Sequence, residues 1–128
     1  MFDLTKLQKL STARSFDRNQ LIIKEGDKSF SMFIVLTGLA RVVKNYGSYE
    51  QVAVAVLNPG EFFGEMSLFL SKPRTASVIA IEDTIVLEID QSNVHQLIEE
   101  NPELLFSIVK KLCLRIEDLN ERVRTIKA

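Results

Sequence analysis

A chain of 128 residues, 46% hydrophobic and 26% charged, holds enough apolar material for one core but not for a second ordinary domain. Sixteen basic and seventeen acidic side chains leave a net charge of -1, so no bulk positive field draws it to nucleic acid. A single cysteine, Cys113, and a single histidine, His95, exclude an internal disulfide and a metal site built on several His or Cys ligands.

The longest apolar run, residues 32–36, falls far short of the roughly 20 residues that a membrane span needs. The opening Met1-Phe2-Asp3-Leu4-Thr5-Lys6 has an early acid and no long apolar block, unlike a signal peptide. A cytoplasmic chain is expected. Residues 1–19 are predicted to form a helical segment, with Leu4, Leu7 and Leu10 at helical spacing. Between 20 and 90 the texture changes to short β-branched or aromatic runs punctuated by glycine. Strands are predicted at 21–23, 30–36, 41–43 and 52–56, then at 77–81 and 84–89. Gly26, Gly38, Gly47 and Gly60 lie 12, 9 and 13 residues apart, a rhythm that suits a compact antiparallel barrel or sandwich.

Residues 91–128 read as two helices. Asp90 or Ser92 can cap the first, which runs through Val94, Leu97 and Ile98. Asn101-Pro102-Glu103 starts the second with a capping amide, a proline at the first helical position and an acid in the first turn. Its apolar residues Leu105, Val109, Leu112, Ile116, Leu119, Val123 and Ile126 alternate four and three apart, a heptad seam. Leu104, Phe106 and Ile108 widen the apolar face of the first half. The wide half is expected to dock on the sheet domain, and the narrow half to pair with a partner helix. Residues 105–126 would then join a homodimer. Arg122 and Lys127 flank the seam with like charge, so no complementary charges reinforce a parallel pair.

Residues 60–78 break the strand pattern. Residues 65–70 have helical character, and Pro73 stops it. So short a helix leaves its first N–H groups unpaired, which suits an anion, and Gly64 lets a ligand approach that backbone. The planar fork of Arg74 fits two phosphate oxygens at once, and Thr75 adds a hydroxyl. Glu65, an acceptor only, fits a sugar hydroxyl. The residues by themselves also allow a plain Glu65–Arg74 salt bridge under a surface loop, and the two readings stand level.

Phe63-Gly64-Glu65-Met66-Ser67-Leu68 followed by Pro73-Arg74-Thr75-Ala76-Ser77-Val78 resembles the phosphate-binding cassette of the cyclic nucleotide-binding domain family. That family includes the catabolite activator protein, protein kinase regulatory subunits and cyclic-nucleotide-gated channels. Glu25-Gly26-Asp27, residues 34–38, Asn58-Pro59-Gly60-Glu61 and the terminal helices fall in the family's order. The resemblance implies a mainly β fold with flanking helices. That fold is a double-stranded antiparallel β-roll of eight strands, jelly-roll-like, with an N-terminal helix and two C-terminal helices. The whole chain would be one domain, with the β-roll at 20–90 and the C-terminal helices at 91–128. It also implies that Gly64, Met66 and Ser67 offer backbone N–H groups and that Glu65 binds the ribose 2′-hydroxyl. Arg74, helped by Thr75, would pair with the cyclic phosphate, with Phe63 and Ala76 beside them. On the last helix, Leu112, Cys113, Arg115, Ile116 and Leu119 are candidates to cover the purine. Ordinary packing is the favoured account of Leu112, Ile116 and Leu119, solvation that of Arg115 and a buried filler role that of Cys113.

Two departures stand out. Asn19 replaces the glycine usual before the second strand, and asparagine tolerates a left-handed backbone. Met66 and Ser67 replace the commoner leucine and alanine, at positions where the contact would be through backbone. Thr75 does not settle the base, and cAMP is favoured over cGMP. The expected function is a sensor, not an enzyme. Ligand binding would shift the last helix, and the signal would pass in trans to an effector protein. A degenerate scaffold that only dimerises is the alternative. A metal-dependent barrel enzyme lacks the histidines it needs.

Overall fold

In the computed structural model, which describes residues 8–127, the apolar run at 32–36 lies in a strand covered on both faces. Successive side chains of a strand point to opposite sides. Met32 and Ile34 meet one core cluster and Phe33 and Val35 another, so no position of this strand's core can be polar.

The strands are β1 (Thr12–Phe16), β2 (Leu21–Ile23), β3 (Met32–Thr37), β4 (Ala40–Lys44), β5 (Val52–Leu57), β6 (Phe62–Phe63), β7 (Ser77–Ala80) and β8 (Thr84–Ile89). Helix α1 (Glu65–Leu70) follows β6, and α2 (Gln91–Glu100) and α3 (Pro102–Lys127) follow β8. Two antiparallel four-stranded sheets form, in the orders β1-β8-β3-β6 and β2-β7-β4-β5. Phe33, Val35, Phe63 and Val86 from the first sheet face Ile22, Ala40, Leu57, Val78 and Ala80 from the second. The helices cover the outer face of the first sheet, where Leu68, Val94, Leu97, Leu104 and Ile108 pack on Met32, Ile34, Phe62, Leu87 and Ile89. This is the eight-stranded β-roll with flanking helices that the sequence implied.

Four details differ from expectation. Residues 12–16, expected within a helical segment, form β1, an edge strand aligned by β8 from Thr12↔Glu88 to Phe16↔Thr84. Phe16 is its one buried residue, so a strand pattern is hardly written there. Of the expected N-terminal helix, Leu4 and Leu7 lie outside the described residues, and Leu10 ends a 3-10 turn, Gln8–Leu10. Asn101, expected to cap α3, instead donates its side-chain amide to the Leu97 carbonyl at 3.0 Å, closing α2. Finally, only Leu104 and Ile108 of the wide half of α3 are fully docked, while Phe106 is 72% exposed. The left-handed turn expected at Asn19 is present, with φ at 72°.

Residues 113–124 of the helix are exposed, with Arg115 still reaching back to the body. The accessible surface is accordingly 8,156 Å². A compact chain of this mass would expose roughly 6,900 Å². Leu104→Ala, at the docked end, is expected to destabilise the fold by about 2–5 kcal/mol in urea unfolding. His95→Ala, on the exposed side of α2, should stay within about 0.5 kcal/mol.

Candidate functional site

The turn at Glu25-Gly26-Asp27 fixes the backbone of Arg74 from both sides. Gly26 N–H donates to the Arg74 carbonyl at 2.8 Å, and Arg74 N–H donates to the Asp27 carbonyl at 2.9 Å. The side chain therefore turns inward and is only 3% exposed. Its Nε donates to Ser29 Oγ at 2.9 Å, Nη1 to the Gly64 carbonyl at 3.2 Å, and Nη2 to Ser31 Oγ at 3.4 Å. The guanidinium also lies over the Phe33 ring, 5.6 Å from its centre, and Phe33 stacks on Phe63. A guanidinium has five N–H groups. Three are engaged, which leaves one on each terminal nitrogen, the fork that grips an anion bidentately. Burial pushes the Arg74 pKa down, and the charges of Glu88 and Asp27 push it back up.

Gly64 makes this approach possible. Its φ is 81°, and a Cβ there would come within 2.8 Å of Arg74 Nη1 and 3.0 Å of the Ser31 carbonyl. The left-handed residue starts α1, whose first intrahelical bond runs from Leu68 N–H to the Gly64 carbonyl at 3.3 Å. The amides of Glu65, Met66 and Ser67 precede that bond and have no acceptor within the helix. Ser71, in the left-handed region, closes α1 by donating its N–H to the Ser67 carbonyl. Gln91, at the start of α2, donates Nε2 to the Leu68 carbonyl at 2.7 Å and to Ser71 Oγ at 3.0 Å.

Glu65 is 2% exposed. Arg115 from α3 brings Nη1 to 2.7 Å from Glu65 Oε1. The contact is an ion pair without an aligned hydrogen bond, and it supplies the charge partner that this buried oxygen needs. One turn earlier on α3, Lys111 donates Nζ to the Phe62 carbonyl and lies over the Phe62 ring. Burial lowers the Lys111 pKa, Glu65 raises it, Arg115 lowers it and Glu61 raises it. No ion pair joins Glu65 to Arg74. The plain salt bridge allowed by the sequence is not made.

Between the two charged groups opens a cavity of about 90 Å³, smaller than the ~300–1,000 Å³ of a typical ligand pocket. Phe63, Gly64, Glu65, Met66, Ser67, Arg74, Thr75 and Ala76 all line it, as does Arg115. Leu112 instead lines an apolar groove between α1 and α3, and Ile116 and Leu119 project into solvent, 58% and 57% exposed. Those three candidates are therefore not at the cavity in this arrangement. Cys113 is exposed rather than a buried filler. Sequence reasoning missed Ile23, Val42 and Val78, which form the apolar wall, and Ser29 and Ser31, which receive Arg74. A signal for the serines existed, since Ser29-Phe30-Ser31 places two hydroxyls just before the apolar run at 32–36.

Among the described residues, no helix is long and apolar enough to cross a membrane, and no group of three His, Cys, Asp or Glu is placed to hold a metal. A profile described as "Cyclic nucleotide-binding domain" matches residues 13–101. The "Cyclic AMP receptor protein" of Thermus thermophilus is 30% identical over 105 residues, covering 82% of this chain and 49% of that protein. The "cGMP-dependent protein kinase" of Eimeria tenella is 33% identical over 93 residues, covering 73% of this chain and 9% of that one. The chain thus spans about half or less of these relatives. The crystal structure of Thermus thermophilus Catabolite Activator Protein superposes with a TM-score of 0.85 at 24% identity, covering 98% of this chain and 60% of that one. With the site residues lying inside the matched span or, for Arg115, packed against it, the chain belongs to the cyclic nucleotide-binding domain family and is a regulatory β-roll domain of it.

Proposed function

We propose that this chain is a sensor for a cyclic nucleotide, cAMP in preference to cGMP, and that α3 carries the response. The observation behind this reading is one cavity lined by both charged groups. Arg74 has one free N–H on each terminal nitrogen, and Glu65 is a buried carboxylate whose ion-pair partner, Arg115, is half exposed. A cyclic phosphate matches the first and a ribose 2′-hydroxyl the second. The amides of Gly64, Met66 and Ser67 and the hydroxyl of exposed Thr75 lie beside the anion, with Phe63 and Ala76 completing the cavity lining. The preference for cAMP draws on the cyclic AMP relative, which aligns over more of this chain than the cGMP-dependent one.

Coupling follows from Glu65 being shared. The carboxylate that would hold the ribose also anchors Arg115 of α3, so occupancy changes what holds the helix. A ligand shifts such an equilibrium only by its differential affinity for two arrangements, typically ~1–3 kcal/mol. Leu105, Val109, Ile116, Leu119 and Val123 form a stripe 42–58% exposed, which suits a second copy along residues 105–126. In this reading the protein is a homodimer in the cytoplasm that acts in trans on an effector protein. It requires no small molecule besides the nucleotide and performs no catalysis.

Calorimetric titration with cAMP and cGMP should give saturable heats, stronger for cAMP. Arg74→Leu should weaken binding by at least about 1.5 kcal/mol, the scale of a lost charge-assisted hydrogen bond. Absence of heat with both nucleotides would leave the dimerising scaffold as the better account. Arg115→Ala should still bind cAMP but abolish the ligand-induced change in amide exchange along α3. Sedimentation should give twice the chain mass for the native protein and the single mass for Leu119→Glu.

A further inference from the structure

Arg74 lines the cavity and keeps two N–H groups that the protein does not use, and what holds it from behind reaches across the sheet. Residues directly opposite on antiparallel strands point to the same side. Thr12 of β1 pairs with Glu88 of β8, Glu88 with Phe33 of β3, and Phe33 with Phe63 of β6. Phe33 and Phe63 face the roll interior, so Glu88 points there too, at the edge of the aromatic floor on which the Arg74 guanidinium lies. An acid in the middle of a strand otherwise carrying Val86, Leu87 and Ile89 into two cores needs a reason.

The hydrogen bonds supply one. Ser31 Oγ donates its only proton to Glu88 Oε2 at 2.6 Å. The hydroxyl oxygen can therefore only accept from Arg74 Nη2, at 3.4 Å. The direction of the chain is fixed, from guanidinium to hydroxyl to carboxylate. The other Glu88 oxygen accepts from the exposed Arg14 Nη1 of β1 at 3.1 Å, so each carboxylate oxygen has its own partner. Ser29 takes Nε of the same guanidinium and shares with Ser31 the task of holding its plane.

We propose, resting on the nucleotide reading above, that Glu88 acting through Ser31 is a positioning residue for phosphate recognition. Glu88 polarises Ser31 and supplies a negative charge behind the fork. It thereby keeps the guanidinium in the cavity and leaves its two outward N–H groups for the ligand. Ser31 is the obligatory bridge, since it is the one group that bonds both. The charge of Glu88 on Arg74, which raises the Arg74 pKa against burial, accords with this placement.

Two measurements test it on the full chain. In cAMP titrations, Glu88→Gln and Ser31→Ala should each weaken binding by about tenfold, as loss of a hydrogen bond in a charged chain implies. In an Arg74→Lys background, where the fork is absent, Glu88→Gln should add about twofold or less, because the two changes act on one unit. Equal tenfold losses in both backgrounds would overturn the proposal, since Glu88 would then act elsewhere. So would binding unchanged by Glu88→Gln in the native background. In the ligand-free protein, the Arg74 Nε–H proton, assigned by its loss in Arg74→Lys, should exchange with solvent at least about tenfold faster in Glu88→Gln. An unchanged exchange rate refutes the positioning role whatever the titrations give. If the native protein takes up neither cAMP nor cGMP, the sensor reading fails, and the exchange rate alone still decides whether Glu88 holds Arg74.

Discussion

The buried guanidinium of Arg74 is the constraint to which its surroundings answer. Removing an ion from water carries a penalty of several kcal/mol even after the protein relaxes around it. A cation only 3% exposed therefore needs acceptors on nearly every side that faces protein. Ser29, Ser31 and the Gly64 carbonyl provide them, with Glu88 and Asp27 supplying charge. Each requirement reaches back into sequence. Two small hydroxyls must precede β3, residue 64 must lack a side chain, and the turn at residues 25–27 must bond the Arg74 backbone. A lysine could not substitute, because its point charge has no planar fork to divide among four directions.

The C-terminal helix is tied to the same few residues. Lys111 reaches the carbonyl of Phe62, and Arg115, one turn on, reaches Glu65. The two anchors flank the short stretch Phe63-Gly64 that opens the cavity. Of the two, only the Arg115 anchor rests on a residue that lines the cavity. A change at Glu65 can therefore release one attachment of α3 while Lys111, Leu104 and Ile108 keep the other end docked. That asymmetry suits a helix that pivots rather than one that detaches.

Much of the fold was legible because its signals are local. The glycine rhythm marks the turns and the unbroken apolar run at 32–36 reports burial, while the alternation near 52–56 marks β5 although Val52, Val54 and Val56 are exposed. What escaped was written in partners. β1 has one buried residue and takes its register from β8, and β6 is two residues long. The amide of Asn101 looked like a start signal for α3, because a residue between two helices can serve either one. The site divides in the same way. Glu65, Arg74 and their neighbours stand in one contiguous segment with distinctive chemistry. Ser31 and Glu88 lie 43 and 14 residues from Arg74, joined to it only by the register of β3 and β8.

The separation of Glu65 from Arg74 carries the functional argument further than the presence of either. A pair of opposite charges in one cavity would ordinarily collapse onto each other, since mutual attraction grows as water is excluded. Here each is held off by a stronger local claim. Arg74 is drawn back by two serines, a carbonyl and Glu88, while Glu65 is drawn toward Arg115 on the helix. The result is a cavity with donors at one end and an acceptor shared with Arg115 at the other. A ligand that fits must present an anion and a hydroxyl at a fixed separation. A free phosphate meets only the first condition and a plain nucleoside only the second. A ribose closed by its own phosphate is rigid enough to meet both without losing torsional freedom on binding, which is the physical basis of the proposed preference.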